Sequence, residues 1–122
     1  MQNTYKPLTF RGTVGAQGTS TFNELKVDSM GIRHIVIRRL TIVPANDGTA
    51  TTYQPLISDG DGVSGTIGQL YLGASTAIGD NFDVTAIDAY ARTDSNGSIW
   101  LALLPDTGSD NTFSYEIHLG VW

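Results

Sequence analysis

Apolar and polar residues alternate along most of this chain, and the alternation has a period of two. It is clearest near the C-terminal end. Phe113, Tyr115, Ile117, Leu119 and Val121 are apolar, and Ser114, Glu116, His118 and Gly120 stand between them. Successive side chains of a strand point to opposite faces, so Thr112 to Trp122 reads as a strand with one buried face. Ile99 to Leu104 (IWLALL) is apolar in both phases. That predicts a strand covered on both sides, by the opposite sheet or by a neighbouring subunit. The stretch between the two strands, Pro105 to Asn111, is rich in Asp, Gly and Ser, the composition of a loop.

The same rhythm recurs upstream. Leu8 to Val14 alternates and meets a turn at Gly15 to Gly18, and Thr19 to Val27 is a weaker strand. Ile32 to Val43 is the strongest β-branched run. Its phase shifts at Arg38 and Arg39, which predicts a bulge or a strand covered on both faces. Ala50 to Ile57 contains Pro55, which places it at an edge or a bulge. Thr66 to Gly73 is a short strand. Asn81 to Arg92 is strand-like, with enough Ala to allow a helical turn. Asp94 to Gly97 is a hairpin-type turn. No window carries a helical apolar stripe. About eight short strands with turns every ten residues or so predict an all-β fold, an antiparallel β-sandwich wound as a jelly roll. Residues 8–122 form one domain in this reading, and residues 1–7 form a polar arm that orders on contact with a neighbour.

Composition narrows the chemistry. At 122 residues the chain is long enough for an unstapled core, and it has no Cys, so disulfides and thiolate metal sites are excluded. The net charge of −5 argues against nucleic acid and anionic membranes as partners. No run reaches membrane-helix length, and the N-terminal residues lack a signal-peptide core, so synthesis in the host cytoplasm is expected. Charged residues make up only 16% of the chain. This fits a turn-rich β-protein, and it also fits a surface that lies against other protein.

Candidate chemistry is sparse. His34 and His118 are the two histidines. No Ser stands beside either in sequence, and their spacing is not that of a zinc site. Asp59, Asp61, Asp94, Asp106 and Asp110 lie in Gly/Ser/Asn loops, where they serve either calcium or, the favoured reading, the turns themselves. No phosphate-binding glycine motif is present, and no carboxylate pair is marked for glycoside hydrolysis. The expectation is a protein without catalytic residues, cofactor or metal. Tyr53, Tyr71, Tyr90 and Trp122 could stack on sugars or fill a core or interface. Arg33, His34, Arg38 and Arg39 form the basic cluster, expected to pair with carboxylates of its own domain or of a partner. Tyr5, Arg38, Arg39, Trp100, His118 and Trp122 are the candidate interface residues.

The Cys-free strand–loop–strand from Ile99 to Phe113, with the strand rhythm before it, resembles virion proteins of tailed bacteriophages, most closely the capsid decoration or cement proteins. The resemblance implies a jelly roll, often trimeric, on the outside of the head, with the major capsid protein as partner. A sugar- or receptor-binding jelly-roll module of a tail fibre is the competing class.

Overall fold

The computed structural model describes residues 6–17, 22–29, 31–58, 69–107 and 111–122. These residues form ten strands: β1 (Lys6–Gln17), β2 (Asn23–Lys26), β3 (His34–Pro44), β4 (Thr52–Tyr53), β5 (Leu56–Ser58), β6 (Gln69–Tyr71), β7 (Thr76–Ala77), β8 (Phe82–Arg92), β9 (Ser98–Ala102) and β10 (Asn111–Val121). The protein is an antiparallel β-sandwich. One four-stranded sheet has the order β1-β10-β3-β8, the other β2-β9-β5-β6, and β4 with β7 makes a two-stranded piece. The expected eight strands are the two large sheets; the additional pair comes from the stretch around Pro55 and from residues 76–77.

The pairings nest. β1 pairs with β10, β2 with β9, β3 with β8, and β5 with β6, all antiparallel. The first strand of the two sheets thus meets the last, and the second meets the second-to-last. The chain is one long double ribbon, folded back at β5 and β6 and rolled up. Contacts β10–β3 and β9–β5 close each sheet. This is jelly-roll winding.

The rolled ribbon buries one face of each sheet. Ile35, Ile37, Leu40 and Ile42 of β3 and Phe113, Ile117 and Leu119 of β10 meet Leu25, Ile57, Ile99 and Leu101 of the other sheet. The shift of phase in β3 is a bulge. His118 faces Arg39 and Leu119 faces Ile37, so Arg38 is the extra residue. Without it, Ile35 and Ile37 could not share an inward face with Leu40 and Ile42. The bulge sends both Arg38 and Arg39 to the solvent side.

Four local expectations are corrected. Pro55 splits the predicted strand into β4 and β5, and β5 lies inside its sheet, between β9 and β6, not at an edge. Proline is tolerated there because it precedes the strand; its carbonyl accepts the Leu72 N–H at 2.9 Å. Residues 82–92 are strand throughout, with no helical turn. β9 stops at Ala102, and Leu104 turns into the left-handed region at φ 33°, where the loop leaves the sheet. β1 begins at Lys6, paired with Val121, so Lys6 and Pro7 of the expected arm lie in the sheet. Met1 to Tyr5 lie outside the described residues.

Candidate functional site

The outward face of the β1-β10-β3-β8 sheet carries most of the candidate residues. Register places side chains in rows across four strands. One row runs Thr9, His118, Arg39, Thr85, and the next runs Arg11, Glu116, Thr41, Asp83. Cross-strand hydrogen bonds knit them together. Arg11 Nε donates to Glu116 Oε2 at 2.6 Å, and His118 Nε2 lies 2.5 Å from Glu116 Oε1. Thr9 Oγ1 is 3.2 Å from His118 Nδ1. A carboxylate only accepts, so Nε2 carries the hydrogen here. In the neutral ring Nδ1 then accepts from the Thr9 hydroxyl. The His118 hydrogen bond, and next the Arg11 charge, hold the Glu116 carboxyl below its usual range. On the far side Arg39 approaches Asp83 at 3.4 Å, and the Thr41 hydroxyl donates to the same carboxylate at 3.1 Å. The result is an exposed grid of paired charges, each pair worth little alone but fixing side-chain direction.

At one end of this face the grid gives way to aromatics. His34 and Trp122 continue the β3–β10 pairing through mutual N–H to carbonyl bonds of 3.0 Å. Their rings stack at 5.6 Å, and Tyr90 meets Trp122 edge-on at 6.2 Å. Tyr90 is 58% exposed, Ile32 51% and Trp122 45%, three of the four exposed large apolar side chains among the described residues. Beneath them Val36, on the same outward face between Gly120 and Tyr90, is fully covered. Arg92 shares the outward row of His34 beside the cluster, Lys6 lies at the same strand end in the inward row of Val121, and Arg33 joins Asp28 at 2.5 Å.

The remaining candidates go elsewhere. Trp100 lies on the other sheet, half-buried, with its Nε1 donating to Asp94 Oδ2 at 3.2 Å. Tyr53 is fully buried and packs on Phe113 at 5.4 Å, so it serves the core and cannot stack on a sugar. Burial pushes its phenol up to about 12. Asp94 and Asp106 organise turns. Asp94 Oδ1 accepts from the Asn96 and Ser98 amides, both at 2.9 Å. Asp106 Oδ1 accepts from the Thr51 and Thr52 amides and Oδ2 from the Thr51 hydroxyl, which together hold its carboxyl near 2. Asp59, Asp61, Asp110 and Tyr5 lie outside the described residues. Among the described residues no group of three or more His, Asp or Glu is placed to hold a metal.

Sequence reasoning singled out Arg38, Arg39, His118 and Trp122 but missed Thr9, Arg11, Glu116, Ile32 and Arg92. The signal for Ile32 was present: it shares the outward phase of His34. Thr9 and Arg11 had none, since their partners lie more than a hundred residues away in the chain.

No protein-family model matches this sequence, and no curated protein matches it. Among solved structures the chain is similar to the Drosophila NLP core, described for pentamer formation and histone binding: 16% identity, 93% of this chain and 95% of that chain, TM-score 0.47. It is similar to VP2 of an infectious bursal disease virus subviral particle, at 13% identity and TM-score 0.44, over 99% of this chain and 34% of that one. It is also similar to the SPBc2 prophage-derived protein YomS, at 10% identity and TM-score 0.36, over 100% and 98%. All three likenesses are distant.

Proposed function

We propose that this protein is a non-enzymatic structural component of a virion, a decoration or cement protein that binds the major capsid protein on the outer surface of a tailed-phage head. The observation that carries this reading is the open face of the β1-β10-β3-β8 sheet. It is an internally hydrogen-bonded surface of paired charges ending in an exposed aromatic cluster, on a frame locked by the nested ribbon. Aromatic anchors beside arginine, within a polar surround, are the chemistry of protein–protein contact. A cement protein needs no reactive group. It needs a rigid body and a complementary surface, repeated over a symmetric shell so that weak contacts sum. A homotrimer suits the local three-fold points of such a shell, and Met1 to Tyr5, ahead of β1, act as an arm toward the neighbour.

The test is cosedimentation with emptied capsids. The parent protein is expected to bind, and Trp122→Ala and Tyr90→Ala to bind at least tenfold more weakly while melting cooperatively. Deleting residues 1–5, which leaves β1 whole, is expected to weaken binding as well. Capsid affinity that is absent in the parent would sink the reading. The exposed Trp122 and Tyr90 rings also suit a sugar, which favours the glycan- or receptor-binding module as the second reading. Binding on a glycan array without capsid affinity would decide for it.

A further inference from the structure

The rolled ribbon separates charge. Strands β1, β3, β8 and β10 hold Lys6, Arg11, Arg38, Arg39 and Arg92 against Asp83, Asp88 and Glu116, a net +2. The rest of the chain holds Lys26 and Arg33 against nine Asp and Glu, a net −7. Along the strand axis the separation is sharper. The end where β1 and β3 begin and β8 and β10 finish holds the exposed Ile32, Tyr90 and Trp122 and the cations Lys6, Lys26, Arg33 and Arg92, against Asp28, which Arg33 neutralises, and Asp94, beside Lys26. At the opposite end stand Asp47, Asp80, Asp83 and Asp106. Asp47 stays ionised because the Thr112 hydroxyl and amide donate to it, and Asp106 because of Thr51 and Thr52. Of these only Asp83 has a cation beside it among the described ion pairs. The fourth exposed large apolar side chain, Val43, lies at this acidic end.

We infer that copies of this chain associate head to tail, the aromatic–cationic end of one packing on the acidic end of the next. The apolar cluster supplies the burial and Val43 a small counterpart. Lys6 and Arg92 face Asp80 and Asp83. Charge complementarity chooses this occupant. Two aromatic ends placed face to face would bury like charges against each other, which costs affinity, whereas the second copy brings the carboxylates these cations require. A contact of this kind is heterologous: it closes into a ring if the rotation allows and runs on as a filament if not. It is the contact that would hold the proposed trimer, and to that extent rests on that reading.

The test is a charge swap read by sedimentation equilibrium over a wide concentration range. Arg92 and Asp80 are both exposed, so Arg92→Glu and Asp80→Lys leave the core untouched. The parent is expected to associate, less strongly as salt rises. Each single variant is expected to associate at least tenfold more weakly. The double variant Arg92→Glu/Asp80→Lys is expected to regain assembly, because in it every swapped head again meets a tail of opposite charge. Association that ignores both swaps, or a double variant that stays dissociated, overturns the head-to-tail contact while leaving a trimer built through another surface. A parent that remains monomeric at every concentration overturns the contact and the trimer together. Capsid cosedimentation, measured separately, still judges the decoration role.

Discussion

Raising the pH should destabilise this protein through one buried phenol, and the size of the effect follows from its surroundings. Tyr53 is fully buried and its hydroxyl donates to the Asp80 carbonyl at 2.8 Å. Burial disfavours the phenolate and raises its pKa from 10.0 to about 12. The folded state therefore keeps its proton where the unfolded chain has lost it. Stability from this group is complete below pH 10 and is lost as pH rises from 10 to 12. In that window the folded chain binds one more proton, so stability falls by about 1.4 kcal/mol per pH unit, close to 3 kcal/mol in all. Tyr53→Phe removes the titration at the cost of one hydrogen bond, about 1 kcal/mol at neutral pH. The two proteins should therefore exchange order. The parent is more stable at pH 7, the curves cross between about pH 10 and 11, and the variant is more stable above that. Urea denaturation followed by tryptophan fluorescence across this range measures the difference, and Tyr115 and the lysines cancel because both proteins carry them. Absorbance of tyrosinate near 295 nm should show one phenol fewer titrating late in the variant. Parallel stability curves would refute the reasoning, since they would mean that Tyr53 ionises alike in both states.

Three further outcomes are expected. Gly97 has φ +80°, and a Cβ there would stand 2.5 Å from the Asp28 carbonyl oxygen, so Gly97→Ala should lose about 2 kcal/mol or more in thermal denaturation. Ile117→Ala, at the centre of the β1-β10-β3-β8 sheet with no exposed surface, should cost about 2–5 kcal/mol, against about 1 for Ile117→Val; equal losses would mean that the site collapses around the cavity. Asp106 has its carboxyl depressed to about 2, so its contribution is present above pH 4 and fades as pH falls toward 2. The melting temperature of Asp106→Asn should therefore depend less on pH over that interval than the parent's, and identical pH profiles would count against the Thr51 and Thr52 bonds as the cause.

Periodicity by itself determined the strand character of β3 and β10 and which side chains of β10 face inward, because a two-residue repeat is a property of the strand alone. It also located the phase shift at Arg38 and Arg39, and the register decided that this is a bulge and not a strand covered on both faces. The turn at Asp94 to Gly97 was legible for a similar reason: a carboxylate capping local amides and a glycine at positive φ are local requirements. Only the tertiary structure decided which strands are neighbours. Nothing near Thr9 or Arg11 in the sequence points to His118 or Glu116; the pairing of β1 with β10 brings them together. Tyr53 read equally well as a surface or a core aromatic until the roll of the ribbon enclosed it. The charge separation between the two ends has the same origin. Register and winding are set by long-range pairing of strands whose local patterns are nearly interchangeable, so the chain specifies faces residue by residue but acquires a surface only once it is rolled.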